Sequence, residues 1–313
     1  MNVPHARSSG IVLVLAAVAC FAALDAATKW VSLGAPALMT VWFRYLLQAL
    51  LTGGLLLPSR GRALLRTRQP VLQLVRACLL LTSSSLAFLS LRHISVGEYT
   101  AVTMVTPLVV MLIASWSLGE FVPRSRWLFL CGGFAGALLV VAPGGASVDR
   151  AMLLPLLVVA VNASYQILTS RMARVDAPAT IQFYTGAIGA GLASLALPWS
   201  WADLAGATWA VLALMGVFST LGHLLLTMAY TRAPVSLLTP YLYFQIAFGA
   251  FGGWWVFGHV PSGVAGLGIA MIALFGALMS WRPSPSLIAR DAPRRTSSSA
   301  GPSPAPSSAH PRA

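Results

Sequence analysis

The stretch Trp116-Ser117-Leu118-Gly119-Glu120-Phe121-Val122-Pro123 returns 139 positions later as Trp255-Val256-Phe257-Gly258-His259-Val260-Pro261. Each copy sits between two long apolar runs. The whole repeated block is Ser95 to Pro143 in the first copy and Pro234 to about Arg282 in the second. Each copy has a proline in its first apolar run, Pro107 and Pro240, and a second run rich in Gly and Ala. A repeat of apolar spans is the mark of a membrane protein that arose by duplication.

Composition agrees. Hydrophobic residues make up 58% of the 313-residue chain and charged residues 9%, against about 25% charged in an average soluble domain. The mean hydropathy is +0.80. So few charges cannot cover a surface facing water, and the lipid bilayer is the expected surrounding. The net charge of +13 lies in short loops and tails, where membrane topology places basic residues. No nucleic-acid motif accompanies it, so no nucleic-acid partner is expected. Cys20, Cys78 and Cys131 all lie in apolar runs, without metal-ligand spacing or a disulfide context. The first run is too long for a cleaved signal and should remain as a helix.

Working outward from the repeat, apolar runs of spanning length, about 20 residues, fall at 10–32, 36–57, 71–91, 97–118, 127–143, 151–171, 179–198, 207–229, 235–257 and 263–281. The expected fold is an all-α membrane protein of ten transmembrane helices. Residues 10–143 form one five-helix repeat and 151–282 the other. Residues 283–313, rich in Ser, Pro, Ala and Arg, read as a disordered cytoplasmic tail.

Arginines set the orientation. With both termini in the cytoplasm, the inner segments carry Arg60, Arg62, Arg66, Arg68, Arg124, Arg126, Arg171, Arg174 and Arg232, while the outer connections carry only Arg92 and Arg150. Five is an odd number, so the two repeats enter the membrane from opposite sides. Inverted repeats are a common build of secondary transporters.

Charges within the spans are few: Asp25, Lys29 and Arg44, with Arg76 toward an inner end. Such charges are costly and face a polar cavity or a partner. Asp25 and Lys29, four apart, share one helix face. Arg44 comes to a similar depth on the second span, and Tyr99 is placed to close the group. The polar groups of the second repeat are Gln166, Tyr184, His223, Tyr243 and Gln245. These nine residues are the expected substrate-binding set, lining one hollow from both halves. An internal Asp25–Arg44 or Asp25–Lys29 pair and a purely packing His223 remain alternatives. Gly132, Gly133 and Gly136, with Gly263, Gly266 and Gly268, form small-residue faces, read as packing within the chain or as a dimer seam. Monomer and homodimer are both open. No phosphate loop, nucleophile elbow, metal set or cofactor motif appears, so neither an enzyme nor a cofactor is expected.

With ten spans in two fives, Asp25-Ala26-Ala27-Thr28-Lys29, Phe43-Arg44-Tyr45, Thr106-Pro107, Leu118-Gly119-Glu120 and Ala233-Pro234…Pro240, the chain resembles the drug/metabolite transporter superfamily, in its EamA-like branch, over residues 10–282. Gly258-His259 departs from the Gly-Glu that the family carries in both repeats. The resemblance implies the bacterial inner membrane and alternating access for a small polar, amino-acid-like metabolite, in the direction of efflux. Uptake of an aromatic vitamin such as riboflavin is the second reading. A non-transporting membrane scaffold is the reading from another class.

Overall fold

The computed structural model describes residues 3–32, 34–93, 96–120, 122–141, 153–257 and 262–281. Residues 283–313, His259 and the connection at 143–150 lie outside them. Among the described residues the protein is all-helical, with no strand. In chain order the helices are α1 (Val3–Ser32), α2 (Ala37–Arg60), α3 (Pro70–His93), α4 (Val96–Thr103), α5 (Thr106–Ser117), α6 (Arg124–Val141), α7 (Leu153–Met172), α8 (Pro178–Ser194), α9 (Gly206–Arg232), α10 (Val235–Leu238), α11 (Phe244–Phe257) and α12 (Gly263–Trp281). Among the described residues six segments are long and apolar enough to cross a membrane: Ser8–Ser32, Ala37–Leu65, Pro70–Ser90, Leu153–Met172, Gly206–Arg232 and Val235–Gly252.

Two of the ten expected spans are broken helices, and proline is the cause. The stretch 97–118 is divided into α4 and α5 by a turn at Met104–Val105, with Pro107 in the first turn of α5. Proline has no N–H to continue the ladder, and its ring clashes with the carbonyl four residues back. The stretch 235–257 is divided into α10 and α11 by a 3-10 segment, Thr239–Tyr243, holding Pro240. Breaks of this kind inside lipid must find new partners for freed backbone groups. Here the Tyr243 hydroxyl donates to the Met104 carbonyl at 3.3 Å, so one break supports the other.

Helices of residues 3–141 pack chiefly on helices of residues 153–281. α1 lies on α9 and α11, α2 on α8 and α9, α3 on α7 and α8, α5 on α7, and α6 on α12. The α6–α12 contact is a backbone contact. A Cβ on Gly136 would lie 2.7 Å from the Gly268 carbonyl oxygen, and one on Gly268 would lie 2.5 Å from that of Gly136. The glycine faces therefore do serve packing within the chain at these two positions. Gly263 and Gly266 face open space instead.

Gly136→Ala is expected to lower stability by roughly 1–3 kcal/mol through overpacking, read as a fall in thermal midpoint in detergent. Gly266→Ala, with open space beside it, should leave the midpoint unchanged. An unchanged midpoint in Gly136→Ala would refute this account of the α6–α12 seam.

Candidate functional site

Two ends of the bundle differ in chemistry. One end gathers the arginine-bearing connections, and its bonds tie residues 9–126 to residues 171–236. Asp176 accepts from the Arg68 N–H at 3.0 Å, from Gln73 Nε2 at 3.1 Å and from the Thr67 hydroxyl. Glu120, just after Gly119 in the left-handed region at φ +61°, accepts from Arg174 Nη2 at 3.0 Å through one oxygen and from the Ser236 N–H at 3.0 Å through the other. Arg171 reaches the Ser117 carbonyl at 2.8 Å, and Arg126 the Ser236 hydroxyl at 3.0 Å. Arg232 donates to Ser9 at 2.6 Å.

Toward the other end lies a cavity of about 110 Å³, lined on α1 by Leu24, Asp25 and Thr28, on α2 by Thr40, Val41 and Arg44, on α3 by Ser84, Ala87 and Phe88, on α4 by Tyr99, and on α9 by Met215. Asp25 and Arg44 thus share one hollow, but not as a pair. Among the described residues the one ion pair is Glu120–Arg174. Asp25 instead accepts from Gln245 Nε2 at 2.6 Å, a bond that reaches from α11 to α1. Arg44 donates to the Ser84 hydroxyl and, at 3.0 Å, to the Tyr45 hydroxyl, while its Nε–H is buried without a partner. Its guanidinium sits 4.8 Å from the Tyr45 ring centre. A carboxylate and a guanidinium thus line one hollow without bonding to each other.

Behind this wall runs a second polar cluster. Arg76, on α3, is fully buried. Its Nε donates to Thr169 at 2.7 Å, Nη2 to the Tyr165 hydroxyl at 2.8 Å, and Nη1 to the Ile181 carbonyl at 3.2 Å and to Thr185. Arginine can only donate. Tyr165 therefore accepts from it and has its own proton free for His223 Nδ1, 3.2 Å away. His223 also meets Phe21 edge-on at 4.9 Å between ring centres.

The structure brings Asp25, Arg44 and Tyr99 of the expected set to the cavity, with Gln245 joined to Asp25. From the second half, Met215 lies on this wall and Gln245 reaches it through Asp25. Lys29 is exposed, outside the lining, and makes no side-chain bond among the described residues. Gln166 is buried between Asn162, at 2.7 Å, and Tyr230, at 3.0 Å. Tyr184 holds the Leu65 carbonyl at 3.0 Å, near the arginine-bearing end. Tyr243 is spent on Met104, and His223 on Tyr165. Tyr45 and Ser84 stand outside the expected substrate-binding set. Their signal was present, since Tyr45 follows Arg44 and Ser84 is one of three consecutive serines.

Residues 8–142 match the model of the EamA-like transporter family. The chain is 30% identical to the pseudopaline exporter CntI of Pseudomonas aeruginosa over 275 residues, 85% of this chain and 94% of the other. It is 29% identical to a riboflavin transporter of Brucella anthropi, over 80% of this chain and 90% of that one. An S-adenosylmethionine uptake transporter of Rickettsia bellii is 22% identical over 81% of this chain and 87% of its own length. A solved crystal structure superposes with a TM-score of 0.77 at 19% identity, covering 91% of this chain and 98% of that one, and supports the fold alone.

A double-mutant cycle tests the α1–α11 tie. Asp25→Ala and Gln245→Ala should couple by about 1.5–3 kcal/mol, the worth of a hydrogen bond to a charged group. Lys29→Ala should change stability by less than about 0.5 kcal/mol. Thermal or denaturant unfolding in detergent measures both, and additive effects of the first two would remove the tie.

Proposed function

The chain belongs to the EamA-like transporter family, within the drug/metabolite transporter superfamily, and from that premise we propose that it is a secondary transporter of a small polar, amino-acid-like metabolite. The observation that carries this reading is the Asp25–Arg44 cavity. A substrate with an ammonium and a carboxylate group would place the first on Asp25 and the second on the Arg44 guanidinium. Tyr99, Thr28 and Thr40 supply further hydrogen bonds, and Phe88 and Met215 an apolar wall.

The transport cycle we infer rests on ten spans in two inverted fives, the first being 10–143 and the second 151–282. The packing supports it. Exchange each span with the one five places on, and every major contact meets its partner: α1 on α9 becomes α7 on α3, α1 on α11 becomes α7 on α5, and α2 on α9 becomes α8 on α3. The α2–α8 and α6–α12 contacts exchange with themselves. A symmetric frame with an asymmetric cavity is what one extreme of alternating access requires. The cavity belongs to one end, and the polar ties of Asp176 and Glu120 shut the other. Rocking the halves would break those ties and expose the site to the opposite side.

The arginine-bearing end is assigned to the cytoplasm, with both chain termini there, and the protein to the bacterial inner membrane. Export fits the relative named as an exporter. A second reading, uptake of a flat aromatic vitamin, has its own support in the riboflavin-transporter relatives and in Phe88 and Tyr99 on the cavity wall. The polar hollow argues for a substrate and against a scaffold.

In proteoliposomes, Arg44→Ala and Asp25→Asn are expected to lower substrate transport at least about tenfold, the scale of one lost charged hydrogen bond. Tyr184→Phe, away from the cavity, should transport at the wild-type rate. Wild-type rates in the first two variants, well folded, would sink this site. Growth rescue of a riboflavin auxotroph, without resistance or secretion, would decide for the vitamin.

A gate test follows from the two carboxylates. In a chain with Cys20, Cys78 and Cys131 replaced by Ala, a single Gln166→Cys reports opening at the arginine-bearing end through a membrane-impermeant maleimide. Asp176→Ala should speed labelling from that side about tenfold or more. Unchanged labelling would show that these ties do not hold the end shut.

A further inference from the structure

We propose that Arg76 is a specificity-determining charge of the transport site: a fixed cation beneath the cavity that favours substrates with one more carboxylate than ammonium group. The proposal rests on the transport reading above and sharpens its substrate class to net-anionic amphoteric metabolites.

The first observation is the absence of compensation. Arg76 is fully buried, and all its bonds go to neutral groups: two threonine hydroxyls, one tyrosine hydroxyl and one carbonyl. The face of the Tyr165 ring lies 4.7 Å from its central carbon. Gln73, one turn earlier on α3, is bonded to the Asp176 carboxylate, which makes no bond to Arg76. The Asp176 oxygens are already taken by Gln73, Thr67 and the Arg68 N–H.

The second observation is placement. Arg76, Leu80, Ser84 and Ala87 succeed one another at helical spacing along one face of α3, and Ser84 and Ala87 line the cavity. Eight residues separate Arg76 from Ser84, a rise of about 12 Å. Between them Tyr45 and Tyr165 pack in one apolar cluster with Leu80 and Phe88. The path from Arg76 to the cavity is thus protein, not water.

The third is the charge balance. Asp25 and Arg44 cancel at the cavity wall, and Arg76 leaves the enclosed region positive by one. Lys29 is exposed and adds only to the same sign. Taking the roughly 12 Å backbone rise as the scale of the separation, a buried charge with an effective dielectric constant near 20 biases affinity by about tenfold. Salt does little to such a charge, because ions do not reach the intervening protein.

The experiment is a ligand-stabilisation screen of the full-length protein in detergent, followed by affinities for the compounds that bind. The probes are amino acids, dicarboxylic amino acids and their carboxamides, amino-acid conjugates with extra carboxylates, nucleosides and riboflavin. Wild type is expected to bind each carboxylate member about tenfold more tightly than its carboxamide. In Arg76→Gln and Arg76→Met that preference should fall to within twofold, while Arg76→Lys should keep it. Without Arg76, Thr169 and Thr185 keep their own bonds to the Tyr165 and Ile181 carbonyls, so both neutral variants are expected to fold, less stably for the partners left over. An unaltered preference in them would overturn the proposal, as would a wild type indifferent to the added carboxylate. Loss of monodisperse protein in both neutral variants, with Arg76→Lys intact, would overturn it in favour of a structural arginine. If no probe binds even the wild type, the transport reading itself fails. Binding of neutral probes without charge preference would leave that reading standing and defeat this one alone.

Discussion

A guanidinium inside a lipid-embedded bundle has no water to turn to, and every donor it carries must be met by the fold. That constraint organises the interior of this protein. Arg76 draws α3 onto α7 and α8 by collecting Thr169, Tyr165, Ile181 and Thr185 around itself. Arg44 is treated differently: Ser84 and Tyr45 take one nitrogen, and its Nε–H is left over. An orphaned buried donor costs about 1–3 kcal/mol. Arg44 bears that cost while lining the same cavity as Asp25. The same need explains Gln245. Asp25 would otherwise face Arg44 across the hollow and could close on it. The bond from α11 occupies one carboxylate oxygen and keeps the pair apart.

The helical architecture was legible because its signals are long. Apolar runs of spanning length need no context, and the described helices fall on each of them. The prolines were visible too, but their effect was not. Whether Pro107 and Pro240 kink a span or divide it depends on what receives the freed carbonyls, and Tyr243 on Met104 comes from the other half of the chain. The site was only partly legible for a related reason. Asp25 and Arg44 stood out as charges in apolar surroundings, and both reach the cavity. The uncharged polar residues of the second half gave no such indication of direction. Gln166, Tyr184, His223 and Tyr243 each bond to a neighbour that periodicity cannot name: Tyr230, the Leu65 carbonyl, Tyr165 and the Met104 carbonyl. Arg76 was read as lying toward an inner end, where an arginine can extend to water. Its complete burial follows from three elements meeting around it.

The bonds at the arginine-bearing end can be ranked by the same physics. Glu120–Arg174 is the ion pair that a list of charges would single out, yet the Arg174 side chain is 52% exposed. A pair so open to solvent is worth about 0–1 kcal/mol, and less in salt. Asp176 makes no ion pair among the described residues, but it is buried and holds three donors from the 67–73 segment. Breaking those bonds while Asp176 stays dry would strand a charge. Breaking them as the end opens to water would cost far less. The carboxylate therefore resists partial opening more than complete opening. If the halves rock as proposed, that difference favours an abrupt transition over a gradual one, and it places the resistance at Asp176 rather than at the visible salt bridge.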